Sequence, residues 1–258
     1  MQGKTALVCG GSQGIGEAIC MELAQLGCNV LALARSEQKL IQVIKKLSTQ
    51  LGNKHFYIAM DISNRSALQK AIESFIQTHS PIHILVNNTG GPKGGPILKA
   101  TEEEFLSAFQ NHVLVSALLT RLVLPGMKQE AYGRIINIIS TSVKVPIANL
   151  GVSNTIRASM ANWAKTISME VGPFGVTVNN ILPGFTETSR LRSLIESSAQ
   201  SSHKSVQEVE QTWKAVIPLG RFGTPEEIAT VAAFLASPAA SYINGTNITV
   251  DGGRTGCL

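Results

Sequence analysis

The sequence predicts one α/β domain, a doubly wound parallel sheet of about seven strands with helices on both faces. Three observations carry this. Short β-branched runs alternate with longer amphipathic ones along the whole chain. The short runs are apolar throughout, as strands covered on both faces are. A glycine-rich turn joins the first short run to the first long one. Strands that alternate with helices imply right-handed crossovers and a parallel sheet.

The elements follow in order. Thr5–Cys9 reads as a buried strand, and Gly14–Leu26 as the first helix. Asn29–Ala34 is a second apolar strand, and Glu37–Leu51 a helix with Leu40, Ile41, Ile44 and Leu47 at helical spacing. His55–Met60 and Ile82–Val86 are strands on either side of a helix over Ser66–Thr78. A long helix spans Glu102–Met127, and Arg134–Ile139 is the fifth strand. Leu150–Val171 is helical, and Val176–Leu182 and Asn247–Val250 complete the strands. Residues 189–205 hold seven serines and lead into an amphipathic run ending at Trp213, a pattern that predicts a mobile helical flap over 187–215 within the single domain.

Apolar residues make up 44% and charged residues 15% of the 258, which excludes a disordered, collagen-like or coiled-coil chain. The net charge of +5 is spread out, unlike the dense basic patch of a nucleic-acid binder, and suits an anionic small ligand. No uncharged apolar run reaches the about 18 residues of a membrane span, and no secretory leader is expected. Cys9, Cys20, Cys28 and Cys257 lack metal-ligand or C-x-x-C spacing and read as reduced thiols of a cytoplasmic protein, with no metal. On that reading the N-x-T matches at Asn244 and Asn247 are coincidental.

The turn Cys9-Gly10-Gly11-Ser12-Gln13-Gly14-Ile15-Gly16 has the spacing G-x-x-x-G-x-G. Such a turn must reverse tightly, let backbone approach a pyrophosphate and pack a helix against the sheet. The helix N-terminus then offers unpaired N–H groups and partial positive charge to phosphates. A tight turn without a ligand is the alternative.

Four segments together carry a family resemblance: the glycine turn, Asn87-Asn88-Thr89-Gly90, Asn180-Ile181-Leu182-Pro183-Gly184, and Pro218–Ala229 with Val250-Asp251-Gly252-Gly253. In this order and spacing, over residues 3–253, the chain resembles the short-chain dehydrogenase/reductase superfamily and is most similar to its 3-oxoacyl-acyl-carrier-protein reductase branch. The resemblance implies a Rossmann-type domain that binds NAD or NADP. It implies contacts to the cofactor from Gly10, Ser12, Gln13, Gly14, Ile15 and Gly16, with Asp61 and Ile62 at the adenine and Asn88 and Gly90 at the ribose. Ile181, Pro183, Gly184, Thr186 and Thr188 would sit near the nicotinamide and pyrophosphate. It also implies a carbonyl or acyl-thioester substrate, and a homotetramer or homodimer paired through the helices over 102–127 and 150–171.

Cofactor choice is read at the end of the second strand, Leu33-Ala34-Arg35-Ser36. An acidic residue there would hold a ribose 2′-hydroxyl, whereas an Arg accommodates a 2′-phosphate. Ala34 fills the acidic slot and Arg35 can pair with phosphate, which favours NADP(H) over NAD(H); a solvated Arg35 is the alternative.

The resemblance also implies a tetrad of Asn, Ser, Tyr and Lys. Asn111 and Ser140 stand in the first two slots, but Ser153 and Arg157 fall where Tyr and Lys belong. The only tyrosines are Tyr57, Tyr132 and Tyr242, so no local shift restores one. An aliphatic hydroxyl is a poor general acid beside a phenol of pKa about 10, and loss of a positioned acid costs about 10²–10⁴ in rate. Arg157 stays charged; it could fork onto ribose hydroxyls or stabilise an oxyanion. Three readings stand: a reductase in which Ser140, Ser153, Arg157 and water share proton transfer; a catalytically weak or inactive NADP(H)-binding sensor or scaffold; and a different reaction in the same pocket. His112 reads as a packed residue rather than a substitute acid, and Lys144 as a solvated loop lysine.

Overall fold

The computed structural model describes residues 1–257. Its strands are β1 (Thr5–Cys9), β2 (Asn29–Ala34), β3 (His55–Ala59), β4 (Ile84–Asn88), β5 (Gly133–Ile138), β6 (Val176–Pro183) and β7 (Asn247–Val250). They form one parallel sheet, as the apolar runs predicted, and its strand order is β3-β2-β1-β4-β5-β6-β7. The connecting helices are α1 (Gly14–Gln25), α2 (Glu37–Lys46), α3 (Arg65–Thr78), α4 (Glu102–Phe109), α5 (Val115–Gln129), α6 (Gly151–Val171), α7 (Ser189–Ser202), α8 (Val206–Ala215) and α9 (Pro225–Ala236). Successive strand residues point to opposite faces. Ala6, Val8, Val30 and Ala32 pack under α1, α2 and α9, and Leu7, Leu31, Leu33 and Leu85 under α3, α5 and α6.

Several helices begin where the sequence caps them. Thr101, Ser205 and Thr224 each accept from the backbone three residues on, while Glu104, Glu208 and Glu227 reach back to the cap. Pro225 occupies the first turn of α9, where its missing N–H is not needed.

Three elements differ from the sequence reading by more than one residue at an end. The helix predicted to Leu51 ends at Lys46 because Leu47 turns extended. The buried Asn53 amide clamps that turn, donating to Ala24 O, Cys28 O and Ser48 O at 2.9–3.0 Å. Strand β4 lies two residues later than its apolar run, since Asn87 and Asn88 are paired strand positions despite their polarity. The predicted helix over 102–127 is helical to Gln129 but contains a π turn over Gln110–Leu114, closed by Val115 N–H donating to Gln110 O.

A ladder of asparagines crosses the sheet, buried at Asn87, Asn137 and Asn180 and exposed at its last rung, Asn247. Asn87 Nδ2 donates to Asn137 Oδ1 (2.8 Å), Asn137 Nδ2 to Asn180 Oδ1 (2.8 Å) and Asn180 Nδ2 to Asn247 Oδ1 (2.7 Å). These residues are direct neighbours on β4, β5, β6 and β7, so each amide satisfies the next in an apolar interior. The segment read as a flap contains α7 and α8, which share a small core of Leu191, Ile195, Ala199 and Val209, with Phe185 stacked on Trp213 at 4.8 Å.

Cys9, Cys20 and Cys28 are buried, and burial pushes Cys9 up to about 12 and Cys28 up to about 11, so neither is a thiolate at neutral pH. Among the described residues, no helix is long and apolar enough to cross a membrane.

Candidate functional site

Strand order reverses between β1 and β4, and ligands of doubly wound sheets bind beyond the strand ends at such a point. A cavity of about 900 Å³ lies there. Its floor is the glycine turn. Gly10 has φ +64°, and a Cβ on it would stand 2.7 Å from Asn88 O. Gly14 has φ +55°. Both positions therefore exclude side chains and leave the entry to α1 open. Gly10, Ser12, Gln13, Gly14 and Ile15 line the cavity. Gly16 does not: a Cβ there would meet Gly10 O at 2.1 Å, so its role is close packing of α1 against the turn rather than ligand contact.

At one end, Arg35, Asp61 and Ile62 line the cavity. Asp61 accepts from Ser63 N at 2.9 Å, and hydrogen bonds to Ser63, with Arg35 nearby, hold its carboxyl below the usual range. Lys39, which sequence reasoning missed, joins them and donates to Gln13 Oε1 at 2.7 Å. Its signal was present, because Lys39 follows Arg35 by four residues, one turn into α2.

At the other end, Asn88, Gly90, Asn111, Ser140, Ser153 and Arg157 share the cavity wall with Pro183, Gly184, Thr186 and Thr188. Thr188 also caps α7, and its methyl lies 3.2 Å from where a Gly14 Cβ would be, so the start of this segment touches the glycine turn. Ile181 is fully buried in the sheet core and does not line the cavity, which removes it from the expected nicotinamide contacts. Its side chain belongs to the alternate face of β6. Lys144 is half-buried and likewise lies outside the cavity.

Arg157 is buried. Its Nη1 donates to Ile138 O at 2.9 Å and its Nη2 to Thr89 O at 3.3 Å, so part of its fork holds the ends of β5 and β4. Burial, then the Arg190 charge, bring its pKa down to about 10, which still leaves a cation at neutral pH. None of the three tyrosines lines the cavity. Tyr57 donates to Glu37, Tyr132 donates to Ala236 O, and Tyr242 is fully exposed.

His112 is packed, as the sequence suggested, with its Nδ1 paired to the Thr89 hydroxyl. Burial, helped by the Arg157 cation, pushes its pKa down to about 3; burial first and Lys4 second bring the buried His83 down to about 4. Both are neutral at pH 7, so neither is a proton source there. An unfolded histidine titrates near pH 6.5 and binds more protons than these folded ones below that pH. The stability they contribute is therefore complete above about pH 6.5 and is lost as pH falls towards 4 and 3. Urea unfolding is expected to weaken between pH 6.5 and 5, above most carboxylate titrations, by about 1.4 kcal/mol per pH unit for each histidine. A flat profile over that window contradicts their burial as neutral rings.

Arg190 and Arg254 also line this end of the cavity, and no local pattern in the sequence pointed to either. Arg190 lies in a serine-rich segment without an assigned site, and Arg254 follows the last strand.

A doubly wound sheet with a phosphate-compatible cradle at its switch point defines a dinucleotide-binding domain. Comparison with known proteins narrows this. The enoyl-(acyl carrier protein) reductase family model matches residues 10–255. The 3-oxoacyl-acyl-carrier-protein reductase FabG of Aquifex aeolicus is 34% identical over 255 residues, covering 98% of both chains. The NADPH-dependent reductase BacG of Bacillus subtilis is 31% identical over 258 residues, covering 98% of both chains. Among solved structures, L-sorbose reductase from Gluconobacter frateurii, complexed with NADPH and L-sorbose, superposes with a TM-score of 0.93 at 28% identity, over 100% of this chain and 98% of the other. The chain belongs to the short-chain dehydrogenase/reductase family.

Proposed function

We propose that the protein is an NADP(H)-dependent oxidoreductase that reduces a carbonyl group, or oxidises the matching alcohol, with Ser153 and Arg157 in place of the family's Tyr and Lys. The observation that carries this reading is one continuous cavity joining the glycine turn and Arg35 to Ser140, Ser153, Arg157 and Asn111. The cradle fits the cofactor, because side chains are excluded at Gly10 and Gly14 where a pyrophosphate must approach backbone. Arg35 and Lys39 are two cations at the end where a 2′-phosphate belongs. Relatives named as NADPH-dependent or solved with NADPH support the same choice.

When bound, the cofactor supplies the hydride. The chain's own groups do the rest. Ser140 and Ser153 hold the substrate oxygen by hydrogen bonds from two sides. Arg157 stabilises the negative charge that develops on that oxygen, in a site where low dielectric strengthens the effect. The proton comes from water beside Asn111, whose amide is presented to the cavity by the π turn. The 187–215 segment covers the substrate end. Exposed Leu106, Phe109 and Met169 on α4 and α6 support a dimer or tetramer paired through these helices, in a cytoplasmic setting that keeps the thiols reduced. A purely sensing or scaffolding role has no observation of its own in its favour, since the matched relatives are named as reductases.

Steady-state NADPH consumption with 3-oxoacyl thioesters, diketones, quinones and oxo acids tests the activity; absence of turnover with every one of them refutes it. For the cofactor, Arg35→Ala is expected to raise the KM for NADPH about tenfold or more and to change that for NADH far less, as loss of a charge-assisted bidentate contact does. Equal weakening of both removes Arg35 from the 2′-phosphate site.

A further inference from the structure

Two arginines converge at the substrate end without a carboxylate paired to either. The Arg157 and Arg190 Nη2 atoms lie 3.8 and 3.9 Å from the position that a Gly91 Cβ would take. Neither forms an ion pair among the described residues. Arg190 makes one hydrogen bond, from Nη2 to Pro92 O at 2.9 Å, which leaves most of its five N–H donors free. Among the described residues, Asp61 is the one carboxylate on this cavity's wall and is at the opposite end beside Arg35, while Glu103 and Glu104 line an adjoining cavity that shares Gly91 and pair with neither arginine. Like charges brought this close repel, and an anion between them relieves the repulsion.

Resting on the reductase reading above, we propose that Arg190, backed by Arg157, is the receptor for a carboxylate that the substrate carries within a few bonds of its reacting carbon. The geometry sets that distance. Arg157 lies one helical turn beyond Ser153 on α6, so an anion at the two guanidinium groups is next to the carbonyl-holding hydroxyl. A planar guanidinium matches a carboxylate bidentately. The cofactor phosphates are not the partner: the glycine turn that would hold them touches Thr188, whereas the Arg190 head is turned away onto Pro92 and Gly91 beyond β4. The substrates are therefore oxo acids rather than neutral ketones or thioesters.

The test compares benzoylformate and acetoacetate with their methyl esters, and with acetoacetyl-coenzyme A, in NADPH turnover by the full-length protein. Each acid is expected to exceed its ester at least about tenfold in kcat/KM, the yield of one charge-assisted pair. Arg190→Gln is expected to bring that ratio towards one and Arg190→Lys to restore part of it. Esters or the thioester turning over as well as the acids overturn the proposal. So does an Arg190→Gln loss that falls equally on acid and ester or on the KM for NADPH, which would place Arg190 on the cofactor. If no compound turns over, the reductase reading fails, and calorimetric titration of benzoylformate into the NADP⁺-loaded protein decides this inference by itself. Binding that Arg190→Gln weakens about tenfold supports it, and absence of binding overturns it.

Discussion

Ser153→Tyr combined with Arg157→Lys is expected to raise carbonyl reduction at least about tenfold, the lower part of what a positioned general acid provides. The two positions lie four residues apart on α6, so both face the cavity that holds Ser140. A phenol with pKa about 10 is brought towards neutrality by an adjacent ammonium, whereas a serine hydroxyl cannot be. Space is available, because Ser153 borders a cavity of about 900 Å³. An ammonium introduced by Arg157→Lys would keep the charge and one of the two carbonyl contacts that Arg157 now makes. The measurement is kcat for the best carbonyl substrate across pH, where the double variant should also acquire a basic limb from the new phenol. An unchanged rate means that the substrate no longer approaches position 153, and the proposed hold of Ser153 on the substrate oxygen falls.

Arg157→Met is expected to lower turnover by about 10²–10³ while leaving stability within about 2 kcal/mol of the parent. Two stability effects oppose each other. The substitution strips donors from Ile138 O and Thr89 O, each loss costing about 1–3 kcal/mol where the carbonyl is buried. It also removes a buried cation whose pKa burial has brought down to about 10, a cost of roughly 3 kcal/mol to the folded chain. Met keeps the apolar stem in place, so packing changes little. The rate has no such compensation, because the positive charge beside the reacting oxygen is gone. Urea unfolding and NADPH turnover on the same preparation separate the two. A large loss of stability with an unchanged rate would make Arg157 a structural strut alone.

Much of the fold was readable from the sequence because parallel strands buried on both faces are apolar runs. The same signal failed at Asn87 and Asn88, where polar residues are held by bonds across strands and look like a loop in one dimension. Periodicity overshot after Lys46, because Leu47 is buried by an extended chain just as well as by a helix. At the site, the glycine turn and Ser140 carry local signatures. Lys39 and Arg190 do not: each reaches the cavity from a separate helix, and only the folded chain brings Lys39 to Gln13 or Arg190 to Pro92. Gly16 and Ile181 show the converse, residues inside a recognisable motif whose contacts are with their own protein.

The asparagine ladder has a direction, each amide giving its hydrogen to the next from β4 outward to β7. Its last rung is Asn247, carried by the final strand, so Asn180 finds its acceptor only when that late segment has docked. A copy broken off before residue 247 would leave β6 as the edge of the very sheet whose strand ends shape the binding cleft, with Asn180 open to water in place of its side-chain acceptor.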